Sequence, residues 1–157
     1  MQRKETPGWE SGYAFEYLVI RAFQFEELRV AWPYRVTLPQ KFGTVEQIDG
    51  VVYFENRAFL IESKHYENPL GVEPVAKLRL RLERRPPGTM GIVFSVSDFT
   101  LPTEIFTQFA NPLNVILWGP SDFEYAIKNG KMVDGLQHKI KYAIQDGLPL
   151  VHLGVQR

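Results

Sequence analysis

The sequence contains no cysteine, no excess of charge of either sign and no long apolar run. Without cysteine there can be neither a disulfide scaffold nor a thiolate metal site, a pattern compatible with a reducing compartment. The 18 basic and 18 acidic residues cancel, which speaks against a passive binder that holds nucleic acid over its whole surface. The start, Met1 to Pro7, has no apolar secretory region, and no stretch approaches the roughly 20 apolar residues of a membrane-spanning helix. A soluble, cytoplasmic protein with no membrane partner is the expectation. Internal repeats, low-complexity segments and long linkers are also missing, so the chain is expected to form one domain, 1–157. What is present is ample apolar material, 45% hydrophobic and 13% aromatic, enough for a real core.

Periodicity sketches the elements. Ser11 offers an N-cap for a helix from about Gly12 to Glu27, along which Phe15, Leu18, Val19, Ala22 and Phe23 recur at helical spacing. Val30 to Leu38, followed by Pro39, predicts an extended edge segment, because Pro33 cannot donate to a central ladder. Gln47–Glu55 and Arg57–Lys64 predict two strands joined by a turn at Glu55-Asn56-Arg57. Val75 to Arg85 has helical spacing and stops at Pro86-Pro87-Gly88. Thr89–Val96 and Asn114–Trp118 are short apolar runs suited to buried strands. Helices are expected from Pro102 to Ala110, Asp122 to Lys128 and Gly135 to Gln145. The order is α-β-β-β-α-β-α-β-α, an α/β fold with a mixed sheet flanked by helices.

Chemistry concentrates at Glu62-Ser63-Lys64. Alternation along the strand puts Leu60, Glu62 and Lys64 on one face and Phe59, Ile61 and Ser63 on the other. An acid and a base thus point the same way, about 7 Å apart. Alone they could form a surface ion pair worth roughly 0 to 1 kcal/mol, but the Phe-Leu-Ile run before them belongs to a core. Asp49-Gly50 fits a type I′ hairpin turn equally well. If Gln47–Glu55 is instead one strand paired with Arg57–Lys64, Asp49 meets Glu62. Glu16 falls within the apolar arc of the first helix, where a carboxylate needs a partner unless it reaches out at the edge of the stripe. Hard divalent cations, Mg²⁺ or Mn²⁺, take oxygen ligands such as Asp49, Glu62 and the Ser63 backbone carbonyl. With Lys64 beside them, phosphodiester hydrolysis is the reaction these groups fit.

Together these segments resemble the PD-(D/E)xK restriction-endonuclease-like nucleases, and among them the Mrr-like branch. Gly12-Tyr13-Ala14-Phe15-Glu16 is similar to that branch's opening helix, Ile48-Asp49-Gly50 to its metal-binding aspartate segment, and Leu60-Ile61-Glu62-Ser63-Lys64 to its ExK strand. Gly91 to Thr100 and Ile116-Leu117-Trp118-Gly119 are similar to later core strands. Ile48 stands where the family name has proline, and Glu62 where many Mrr-like members carry glutamine. The resemblance implies a restriction-endonuclease-like core, divalent-metal dependence and cleavage of DNA, with Asp49, Glu62, Lys64 and Glu16 as catalytic residues.

On the helix after the ExK strand, Lys77, Arg81, Arg84 and Arg85 fall within about 100° of arc. They are candidates for contacts to DNA phosphates, against the alternative of an ordinary solvated face. His65 and Tyr66 either flank the site or belong to a loop. Trp9, Trp32, Trp118, His138 and His152 suit packing. The expected function is a metal-dependent DNA endonuclease, in restriction of foreign DNA or in repair, acting as a homodimer or with a targeting subunit. A catalytically silent nucleic-acid-binding module and a junction-resolvase-like nuclease are the alternatives.

Overall fold

The computed structural model describes residues 11–38 and 43–155, with the side chains of 34–46 outside the description. Trp9 and Pro39 lie outside it as well. Helix α1 (Ser11–Phe25) opens the fold, with Ser11 inside the helix rather than capping it. It buries Phe15, Val19, Ile20 and Phe23. It ends where Glu27 turns to a positive φ of 67° and the Leu28 N–H donates back to the Phe23 carbonyl at 3.1 Å, a left-handed stop that satisfies an orphan carbonyl.

The expected edge segment is two strands, β1 (Arg29–Ala31) and β2 (Tyr34–Leu38), and Gln47–Glu55 is likewise two, β3 (Gly43–Ile48) and β4 (Gly50–Phe54). β1 pairs with β4 and β2 with β3, antiparallel, in one register that continues across both breaks: Ala31 faces Val51 and Tyr34 faces Ile48. The ladder fails opposite Pro33, which has no N–H to give. The turn expected at Glu55-Asn56-Arg57 forms with positive φ at Glu55 and Asn56, the type I′ geometry of a two-residue hairpin. That turn belongs here and not at Asp49-Gly50.

Strand β5 (Arg57–Lys64) pairs antiparallel with β4 and parallel with β6 (Met90–Ser95), which pairs parallel with β7 (Val115–Trp118). The five-stranded sheet runs β1-β4-β5-β6-β7, and β2-β3 forms a separate ribbon. Helix α2 (Glu73–Leu82) crosses from β5 to β6, and α3 (Leu101–Gln108) lies between β6 and β7. The chain then adds α4 (Pro120–Asn129) and α5 (Met132–Asp146). The expected mixed sheet flanked by helices is the observed architecture, with the five expected helical segments present and two more strands than expected.

Each face of the sheet carries its own core. Phe59, Ile61, Ile92, Phe94, Ile116 and Trp118 pack with α1, α4 and α5. Leu60, Val93, Val115 and Leu117 pack with Val75, Leu78 and Leu82 of α2. A Cβ at Gly91 would meet Leu78 Cδ2 at 2.6 Å, so glycine lets α2 lie close on β6. Ile48 joins the α2 face beside Val51, contrary to strict alternation through Asp49, because the strand is broken there.

A buried ion pair ties the C-terminal segment to this frame. Lys139 Nζ donates to Asp122 Oδ2 at 2.8 Å and to the carbonyls of Leu117 and Val151, while Asp122 Oδ1 accepts the Leu153 N–H at 2.8 Å. Burial lowers the Lys139 pKa against the opposing pull of Asp122. Removing one partner strands the other in the core. In urea melts, Lys139→Ala is expected to lose about 3–5 kcal/mol, and Lys139→Met combined with Asp122→Leu much less.

Candidate active site

Where β4 starts, the ladder to β5 runs out. Gly50 faces Ile61, so the Ser63 N–H, two residues further along β5, has no backbone acceptor on that side. The Asp49 carboxylate takes the place of the missing strand and accepts it at 2.5 Å. N–H and C=O of one strand residue point the same way. The Val96 N–H donates to the Lys64 carbonyl at 3.2 Å, which turns Lys64 toward β6 and leaves the Ser63 carbonyl on the Asp49 side. Gly50 is glycine because a Cβ there would meet Ile20 Cδ1 of α1 at 2.5 Å. This close approach also sets Glu16, one helical turn before Ile20, near the same spot.

Glu62 is 6% exposed, which removes the surface-pair alternative. Lys64 Nζ lies 2.5 Å from Glu62 Oε1, and Arg81 Nη1 of α2 lies 2.7 Å from Glu62 Oε2. Glu16 has its partner in Trp32, whose Nε1 donates at 2.8 Å; Tyr17 packs edge-on to the same indole at 5.3 Å. Trp32 was expected only to pack. Its link to Glu16 has no local signal, because 16 residues separate them. The Ser63 hydroxyl is buried without a hydrogen-bond partner among the described residues.

Charge crowding shows in the titration of these groups. Burial, then Glu62 and Glu16, push the Asp49 carboxyl up to about 7, against the pull of the Ser63 N–H and Lys64. Burial also raises Glu16, with Glu62 adding to it and Trp32 opposing. For Lys64, burial alone would lower the pKa, but Glu62 and Asp49 outweigh it and hold the ammonium above its ordinary value. Asp49, Glu62, Lys64 and Glu16 are thus within electrostatic reach of one another.

The four basic residues are not brought together. Lys77 lines a cleft of 210 Å³ with Glu62, Lys64, Tyr66 and Leu70, where it pairs with Glu73 at 2.7 Å. Arg81 turns inward to Glu62. Helix α2 ends at Leu82, so Arg84 and Arg85 leave the helical arc. Arg85 folds back to the Arg81 carbonyl at 3.4 Å and lines a different cavity, beside Arg57 and Met90.

A carboxyl whose pKa rises on folding stabilises the fold while protonated and weakens it once charged. Between about pH 4, the ordinary aspartate range, and about 7, the folded chain holds a proton that the unfolded chain has lost, so stability falls as pH rises. Asp49→Asn is therefore expected to melt several degrees above the unsubstituted, metal-free protein at pH 8. That advantage should shrink steadily below pH 7 and vanish near pH 4, as followed by thermal denaturation.

Curated proteins give no sequence match. Among solved structures, a protein of unknown function, AF1548, superposes with a TM-score of 0.58 at 15% identity over 87% of this chain and 78% of that one. The DNA modification-dependent restriction endonuclease AspBHI gives 0.50 at 17% identity, covering 89% of this chain and 36% of its own. The MspJI restriction endonuclease, solved with a 27-mer oligonucleotide, gives 0.48 at 18% identity, covering 92% and 34%. This chain thus spans about a third of the length of either endonuclease. The sequence profile Mrr_cat, described as restriction endonuclease, matches residues 10–127, a stretch that runs from α1 through α4 and holds Glu16, Asp49, Glu62 and Lys64. The chain belongs to this restriction endonuclease family, whose members are nucleases.

Proposed function

We propose that the chain is a metal-dependent endonuclease of the PD-(D/E)xK type that hydrolyses DNA phosphodiester bonds. The observation that carries this reading is the convergence of Asp49, Glu62 and Lys64 where the ladder opens, with Asp49 pushed to about 7 by burial and then by its carboxylate neighbours. Such crowding of like charge has little structural use and suits a cation.

Among the described residues, no three carboxylate or imidazole side chains close on one point. Magnesium, however, is commonly held by one or two carboxylates, with water and substrate oxygens completing its shell. Asp49, Glu62 and the Ser63 carbonyl fit that demand and would hold the ion. Bound there, the metal would polarise the phosphodiester and lower the pKa of a coordinated water.

The side chains have separable tasks. Lys64, kept charged by Glu62 and Asp49, stabilises the charge that builds on the phosphate and orients the attacking water. An ammonium cannot take a proton from that water, so Lys64 acts as a cation and not as a general base. Glu16, fixed by Trp32, helps orient water from the α1 side. Lys77 on α2 and Arg84 and Arg85 just past its end would contact phosphates and position DNA without reading sequence. The match to AspBHI over about a third of that chain supports reading 1–157 as one cleavage domain, with target choice left to a second copy or a targeting subunit.

Plasmid nicking in Mg²⁺ or Mn²⁺ is expected to fall at least about 100-fold in Asp49→Ala and in Lys64→Ala, with circular dichroism unchanged; full activity in both would sink the proposal. Arg81 competes with any metal for Glu62 Oε2. Calorimetry should therefore show Mn²⁺ binding severalfold tighter in Arg81→Ala, and weaker binding there would mean that Arg81 positions Glu62 for the ion instead.

A further inference from the structure

A second cleft, of 440 Å³, lies on the α1 side of the sheet, lined by Phe15, Leu18, His65, Val96, Pro120 and Phe123 with Ser95 and Glu124. None of these residues has a part in the chemistry above. Two chain segments nevertheless build both places. On α1, Glu16 belongs to the site and its neighbour Phe15 to the cleft. At the end of β5, Lys64 belongs to the site and its neighbour His65 to the cleft. Successive strand side chains point to opposite faces, and adjacent Cα atoms are about 3.8 Å apart, so the two places are separated by little more than the backbone of β5.

The chemistry of the cleft is that of a pocket for a flat, partly polar ring. Phe15 and Phe123 meet edge to face at 5.4 Å and floor it with apolar surface, both nearly fully buried. The half-buried His65 tilts against Phe15 with ring centroids 6.2 Å apart. No hydrogen bond engages its imidazole among the described residues. Leu18, Val96 and Pro120 supply apolar walls, and the carboxylate of Glu124, paired with Lys128, stands at the rim. The volume lies within the range of small-ligand pockets and is too small for a duplex.

We infer that this cleft receives an unstacked nucleobase of the cleaved strand, from a nucleotide next to the phosphate held at Lys64. The inference rests on the nuclease reading and names a feature of its substrate. The base leaves the stack and enters beside His65, whose ring supplies a stacking face and a free nitrogen. Drawing one base aside would seat the neighbouring phosphate over Lys64, and would favour sites where unpairing costs least, such as mismatches, flaps and single strands.

The test uses the full chain carrying Asp49→Ala, which keeps Lys64 and is expected to bind without cutting. It also uses duplexes with 2-aminopurine next to the cleavage position mapped with the unsubstituted protein. Binding is followed by anisotropy and unstacking by 2-aminopurine fluorescence. A severalfold fluorescence rise is expected on binding. Val96→Trp, which fills the cleft, should abolish the rise while anisotropy still reports binding, and His65→Ala should weaken binding about tenfold. If Val96→Trp does not fold, His65→Ala decides, and unchanged fluorescence and affinity in it would overturn the inference. No fluorescence rise on DNA that is bound and cut overturns the base pocket and leaves the nuclease standing. Absence of both DNA binding and cleavage overturns the nuclease reading, and this inference with it.

Discussion

The hydrogen bond from the Ser63 N–H to the Asp49 carboxylate organises the rest of the structure. It forms where β4 has not yet begun and β5 still runs on past its last partner, so a side chain replaces a missing backbone partner. Pro33 interrupts the facing strand at the matching position, and the ladder opens on both sides of Asp49. A strand that paired throughout would have left no room for the groups gathered there. The same gap turns the Ser63 carbonyl toward Asp49 and admits Glu16 from α1, on the other side of the sheet.

Gathering these groups is costly. Three carboxylates share a partly buried space, and two cations, Lys64 and Arg81, hold the deepest of them. The two cores bear that cost. The sheet is covered on both faces, with Phe23, Phe94 and Trp118 packed ring against ring on the α1 side. The Lys139–Asp122 pair locks the C-terminal segment over the same face. Rigid surroundings keep like charges close without letting them separate. The site and the adjoining cleft open on opposite faces of the end of β5, which makes that strand end the point where chemistry and substrate shape would meet.

Much of this was legible in the chain. Glu62 and Lys64 share a face because alternation along a strand is a local rule, and a Phe-Leu-Ile run announces burial whatever its partner. Glu16 could be singled out because a carboxylate inside an apolar helical arc conflicts with its surroundings. Other features were not legible. Arg81 sits at a position that suits a solvated face, and its inward turn depends on where α2 lands over β5. Arg84 and Arg85 share the helical period with Lys77 but lie past the end of the helix, where periodicity no longer applies. Trp32 meets Glu16 only because β1 returns along α1. The break at Asp49 was hidden because its cause, Pro33, lies on the facing strand.

The sequence by itself determined the mixed α/β architecture, the face on which the residues of an unbroken strand such as β5 lie and the identity of the charged groups, because these follow from local periodicity and residue chemistry. Tertiary structure alone decided which groups meet, since those contacts join residues far apart in the chain. It ended a strand at Asp49, gave Glu62 two cationic partners instead of one, and left a cleft against His65. Register, helix placement and the approach of α1 to Gly50 are set by packing over the whole core, and no window of sequence contains them.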